Sequence, residues 1–284
     1  MNLVKGKEIA LKIMSEIQVL KEQIKDKNLL VAIVRVGNHG DDITYERSIV
    51  KKFLEIGIET QLVTFEKSVR HSKFVKTITE LNNNEAVNGI IILRPLPKQI
   101  NADLVAQILN HNKDIDGMSY TNIARLFTSD DFGFVPCTPQ AIMEIIDYLK
   151  IDLAGLNVTI VGAGMAVGRP LSLLMLNRKA TVTTCRALTR DLVKECHKAD
   201  VVIAAAGVKG LIKVNHIKDG AIVIDVGINI VDGKVYGDVD FENVAPKCRY
   251  ITPVPGGVGS ITTMILAKQV YKAKLLQEKE TITQ

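Results

Sequence analysis

Short apolar, β-branched runs alternate with amphipathic stretches along the whole chain, and this rhythm constrains the fold more than any other feature. LLVAIVRVG (29–37), IETQLVTF (58–65) and GIIILRP (89–95) are separated by TYERSIVKKFLEIGIE, closed by Gly57, and by a helix around VKTITELNNN. A helix in NADLVAQILN follows. Strands joined by helical crossovers run parallel, so the pattern is that of βαβ units. Pro95 and Pro97 stop the third run and project a loop from its C-terminal end, where open parallel sheets bind ligands. PCTPQAIMEIIDYLKI, whose Thr138-Pro139 suits an N-cap and first helical position, then leads into a second series. Its strands are LNVTIVG, ATVTTC, VVIAAAG and AIVIDVG (221–227). At 284 residues with 47% apolar content, the chain can bury two cores, so the expected fold is α/β with two domains.

Between the first strand of the second series and its helix stands VTIVGAGMAVG, with Gly162, Gly164 and Gly168. Glycines there let backbone N–H groups approach a pyrophosphate at a helix N-terminus; the alternative is merely tight strand-to-helix packing. The next strand ends in TTCRALTRD, with Arg186 and Arg190 but no carboxylate at its tip. That favours NADP, with NAD as runner-up, although Asp191 lies close enough in sequence to bond a ribose 2′-OH.

Other classes are disfavoured. A net charge of +5 without Lys/Arg clusters interleaved with aromatics argues against nucleic acid. Cys137, Cys185, Cys196 and Cys248 form no CxxC pair and the five histidines are dispersed, so no metal is expected. No apolar run approaches the roughly 20 residues of a membrane span. MNLVKGKEIALKIMSEI places charges before any apolar run, which suits a folded helix rather than a secretory signal and a cytoplasmic location.

The helix TYERSIVKKFLEIGIE poses a sharper question. Tyr45, Ile49, Lys52 and Ile56 fall on one stripe, mixing a phenol, an ammonium and apolar branches. Ile49 is either ordinary core or the occupant of a position where a reactive group belongs.

GIIILRPLP, KDIDGMS, FVPCTPQAIM, GAGMAVGRPL, GAIVIDVGIN, GDVDFENV and ITPVPGGVG occur in one order across nearly the full length. Together they closely resemble the bifunctional methylenetetrahydrofolate dehydrogenase/methenyltetrahydrofolate cyclohydrolase family. The resemblance implies a folate-binding catalytic domain over 1–137 plus 258–284, with a C-terminal helix returning to it. It also implies a Rossmann-like NAD(P)-binding domain over 138–257, a tetrahydrofolate derivative as substrate, and a homodimer. It places Tyr45, Asp116, Pro255 and Gly256 against the substrate, Asp116 anchoring the pterin ring. Without the resemblance, Asp116 before Gly117 also reads as a turn former. The cofactor-lining positions are Thr138, Gly162, Ala163, Gly164, Gly168, Arg186, Ala187, Ile228, Gly259 and Thr262.

Against that pattern, Ile49 occupies the position of the catalytic lysine four residues after the tyrosine, and Leu93 that of the glutamine that tunes it. An apolar pair in place of a polar one avoids leaving a buried amide unsatisfied. Ala163 and Ala187 replace an arginine and a serine that contact the 2′-phosphate, and Ser260 replaces a proline. Lys52, about 4.5 Å further along the helix, is a possible substitute base, and Arg94 is a poor one because a guanidinium stays protonated. Three readings follow: a dehydrogenase with weak or lost cyclohydrolase activity, a bifunctional enzyme rescued by Lys52, or a non-catalytic folate or nucleotide binder.

Overall fold

The computed structural model describes residues 2–130 and 133–283, without the side chains of Asp41 and residues 280–283. It divides into two compact units, Ile13–Cys137 with Thr263–Gln284, and Met1–Lys12 with Thr138–Thr262. The chain opens with β1 (Asn2–Leu3) and α1 (Gly6–Gln23).

In the first unit, β2 (Leu30–Val36), α2 (Gly40–Ile56), β3 (Glu59–Phe65), α3 (His71–Asn83) and β4 (Val87–Ile92) alternate as the sequence leads one to expect. The three strands lie in the order β3-β2-β4 and pair in parallel. Central β2 reads as an almost unbroken apolar run because it is covered on both faces, whereas edge strand β3 leaves most of its residues partly or fully exposed. Gly57 closes α2 in the left-handed conformation at φ 85°, its N–H donating to carbonyls of the last turn. Val34, Phe65, Phe74, Ile78, Ile90 and Ile92 are among the core of this unit, with the Phe65 and Phe74 rings tilted at 5.4 Å. Two shorter helices follow, α4 (Ala102–Ile108) capped by Asn101 and α5 (Tyr120–Thr128) capped by Ser119. α6 (Cys137–Tyr148) begins one residue before the expected Thr138 cap.

The second unit runs β5 (Asn157–Val161), α7 (Gly168–Asn177), β6 (Thr181–Cys185), α8 (Leu192–His197), β7 (Val201–Ala204) and β8 (Ile222–Asp225). A hairpin of β9 (Asn229–Val231) and β10 (Lys234–Tyr236), a short α9 (Phe241–Val244) and β11 (Tyr250–Ile251) follow. The main sheet has the order β1-β11-β8-β7-β5-β6 and is parallel throughout.

The last element, α10 (Val258–Thr283), anchors its later turns in the first unit. There the Tyr271 hydroxyl donates to Ile56 O, and Gln277 donates to the carbonyls of Asn88 and Asn112. The division differs from the expected limits at both ends, because residues 1–12 and 258–262 group with the nucleotide-type unit. The cause at the N-terminus is β1, whose pairing with β11 adds a strand to that unit's sheet. No described helix is long and apolar enough to cross a membrane.

Candidate active site

At the C-terminal end of β4, Arg94 reaches back toward the loop that carries Asp116, its Nη2 lying 3.6 Å from Asp116 Oδ2. The other carboxylate oxygen accepts the N–H of Cys137, the first residue of α6. Tyr45 on α2 completes the group: its phenol is held well above the ordinary range, first by burial and then by the Asp116 carboxylate. Burial also raises Asp116, opposed by the Arg94 charge and the Cys137 N–H, and pushes the Cys137 thiol well up. Tyr45, Arg94, Asp116 and Cys137 thus form one electrostatic neighbourhood.

Asp114 and Asp116, two apart in KDIDG, do different work. Asp114 is fully buried and accepts the N–H groups of Met118 and Ser119 and the Asn122 side-chain amide, so it staples the loop. Asp116 points its carboxylate at Arg94 instead. Beside them Lys113 is buried, its ammonium donating to the carbonyls of Asn82 and Asn84 at the end of α3.

The question about Ile49 resolves at this point. Ile49 is fully buried and Leu93 nearly so, which makes both part of the apolar core. Lys52, the candidate substitute base, places its ammonium 2.6 Å from Glu55 one turn along α2. Arg94, not Lys52, is the cation acting on Tyr45 and Asp116. A buried ion pair that sequence reading missed fixes the start of α2: Arg35 Nε donates to Glu46 Oε2 at 2.8 Å. The same guanidinium reaches Gly37 O and Asn38 Oδ1.

In the second unit the glycine turn is built for close approach. A side chain at Gly168 would collide with the Gly162 carbonyl, and one at Gly162, which sits at φ 119°, with the Ala205 carbonyl. Gly164 faces open space. No side chain caps the N-terminus of α7, but the Arg169 and Leu171 N–H groups already donate to Gly164 O and Val167 O and Pro170 has none, so of its first four residues only Gly168 can offer an N–H to an anion. Arg169 donates to Ala163 O from beside the turn, and Ser172 Oγ lies 2.9 Å from Thr184 Oγ1. Beyond β6, Asp191 caps α8, its Oδ1 accepting the Lys194 N–H. Arg186 and Ala187 are exposed there, as is Ile228 beyond β8. Thr138 is half-buried, whereas Pro255, Gly256 and Gly259 are exposed. Thr262 donates its hydroxyl to Val258 O within α10.

Two buried carboxylates organise the loops beside the turn. Asp225 Oδ1 accepts from Gly227 and Asp238 N–H, and Oδ2 from Val239 N–H. Asp238 accepts from Ala206 and Gly207 N–H and from Asn229. Gly227 and Gly237 lie so close that any Cβ would strike these carboxylates, which accounts for glycine in DVG and GDVD.

Burial, with the Asp238 charge adding to it, raises the Asp225 carboxyl to about 6 from an ordinary 3.8. A raised acid favours the folded state below its unfolded value. That contribution is fully present below pH 4 and fades as the pH passes 6, by about 3 kcal/mol in total. Carboxyl-carbon NMR is expected to show Asp225 titrating near pH 6; a midpoint near 4 would refute this.

Two family models match the chain. The tetrahydrofolate dehydrogenase/cyclohydrolase catalytic domain covers residues 4–116, and the NAD(P)-binding domain of the same family covers residues 136–278. The chain is 44% identical over 271 residues to a bifunctional protein FolD of Clostridium botulinum, spanning 94% of this chain and 96% of that one. A crystal structure of the bifunctional FolD dehydrogenase/cyclohydrolase from Campylobacter jejuni aligns at TM-score 0.92 and 37% identity, over 98% of this chain and 99% of that one. The Trypanosoma brucei dehydrogenase-cyclohydrolase, solved with NADP cofactor and an inhibitor, aligns at TM-score 0.90 and 29% identity, over 99% and 98%.

Proposed function

Because the chain belongs to the tetrahydrofolate dehydrogenase/cyclohydrolase family, we propose that it oxidises 5,10-methylenetetrahydrofolate to the methenyl form with NADP and hydrolyses that product weakly or not at all. The observation that carries this reading is the complete burial of Ile49, at the position where the resemblance expects a lysine. The nicotinamide, when bound, supplies the hydride acceptor. The chain's own task in that step is positioning, for which a near-attack geometry suffices. Asp116 offers acceptor oxygens to the pterin N–H groups, and the close-packed turn of Gly162, Gly164 and Gly168 would hold the pyrophosphate.

Hydrolysis asks for more, because a water must lose a proton. Tyr45 and Cys137 are both pushed upward, so both stay protonated at neutral pH. Arg94 carries a guanidinium, a hydrogen-bond donor with no acceptor, and Lys52 is paired with Glu55. None of these groups is poised as a base. NADP rather than NAD follows from Arg186 and Arg190 flanking the strand tip, which itself carries no carboxylate. The reading also takes the protein as a cytoplasmic homodimer.

The test is a spectroscopic assay with 5,10-methylenetetrahydrofolate and either nucleotide. Nicotinamide reduction with methenyl accumulation is expected, faster with NADP. Rapid loss of the methenyl signal would restore the bifunctional reading, and no reduction with either nucleotide would favour a binder. The double variant Ile49→Lys/Leu93→Gln is expected to raise methenyl hydrolysis at least about tenfold, since a positioned acid/base group gains that or more. An unchanged rate in a folded double variant would count against the role assigned to position 49.

A further inference from the structure

Arg94 and Asp116 present a donor beside an acceptor, and the spacing leaves both usable. At 3.6 Å the pair is longer than a charge-assisted hydrogen bond of about 2.8 Å, so attraction orients the two groups without consuming their hydrogen-bonding capacity. Arg94 has five N–H donors in a planar fork. Asp116 spends one lone pair of Oδ1 on the Cys137 N–H and keeps Oδ2 open on the side of Arg94. Both side chains remain 27% exposed, which gives a ligand access to them. Ile49 and Leu93 are buried and apolar, and among the described residues Arg94 is the cation that acts on Asp116, alongside Cys137 and Asp114.

The 2-amino-4-oxo edge of a pterin reads, in order, amino donor, N3–H donor, oxygen acceptor. A carboxylate with a guanidinium at its side reads acceptor, acceptor, donor. We propose that Arg94 is a specificity-determining residue, donating to the 4-oxo oxygen of the pterin while Asp116 accepts from N3–H and the 2-amino group. The proposal rests on the folate reading above and adds a residue that distinguishes 4-oxo from 4-amino pterins. A 4-amino group would turn a donor toward the guanidinium and leave that contact unmade, and because N3 then carries no hydrogen it would also take one donor from Asp116. A lost charge-assisted hydrogen bond corresponds to roughly tenfold to a hundredfold in affinity.

The test is calorimetric binding of folic acid and of aminopterin, which differ in the pterin at position 4 and in the hydrogen at N3, to the full chain and to Arg94→Leu and Arg94→Lys. The wild-type protein is expected to bind folic acid at least about tenfold more tightly, with Arg94→Lys keeping much of that ratio and Arg94→Leu lowering it severalfold to the part that the N3–H contact of Asp116 supplies. A wild-type ratio near one overturns the proposal. So does an Arg94→Leu ratio matching that of the wild type, and in both cases folic acid binding leaves the folate reading intact. Failure of folic acid to bind the wild-type protein overturns the two together.

Discussion

Asp225→Ala is expected to lower the stability of the protein by about 4 kcal/mol, read as a shift in the urea midpoint with little change in slope. Its carboxylate is the acceptor for the N–H groups of Gly227, Asp238 and Val239, all of them in buried residues. Removing it strands three donors in a place water does not reach, and each such donor costs about 1–3 kcal/mol. Relief of the repulsion with Asp238 returns part of that loss. Asp238→Ala is expected to be milder, because two of its three donors belong to exposed residues, Ala206 and Gly207, which water can serve. Asp225→Asn keeps the shape but only one acceptor oxygen, and belongs between wild type and alanine. A loss under about 1 kcal/mol for Asp225→Ala would show that the loops repack around the gap. The same variant is expected to weaken nucleotide binding, since Asp238, whose backbone N–H Asp225 accepts, holds the loop after β7.

Glu46→Ala is the second large effect, at about 3 kcal/mol. Arg35 and Glu46 are both buried, and taking away the carboxylate leaves a guanidinium in a low-dielectric site. Its remaining contacts to Gly37 and Asn38 hold the cost at the lower end of the range for broken buried pairs. Replacing both partners at once, Arg35→Met with Glu46→Leu, is expected to come close to the wild type in stability, because no charge is then stranded. The single variant also bears on the site, since Glu46 adjoins Tyr45 on α2. Its kcat/KM with the methylene substrate is expected to fall by more than that of the double variant. Equal melting temperatures for wild type and Glu46→Ala would contradict the argument.

The parallel strands were legible because burial on both faces writes itself as continuous apolar runs, as in LVAIV of β2 and VVIA of β7. Gly57 ended α2 where a left-handed residue was needed. What escaped notice was short or depended on distant partners. β1 and β11 have two residues each, too few for any period to register. The β9–β10 hairpin did carry a signal, Asp232-Gly233 in IVDGKV, with positive φ at both residues, and it went unread. Within the candidate site, the family resemblance pointed to Tyr45 and Asp116 and the strand-to-helix turn to the glycines. The Arg35–Glu46 pair, the Asp225–Asp238 network and the facing of Arg94 toward Asp116 were not, because each joins residues whose proximity is created by the fold.

The pairing of Asn2 and Leu3 with Tyr250 and Ile251 has a practical side. One rim of a six-stranded sheet is covered by two residues near the very start of the chain. Trimming residues 2–5, or forcing a bulky fusion partner against them, would bare the main-chain donors and acceptors of β11 and offer them to the next molecule. Preparations altered there are the ones expected to cloud on storage.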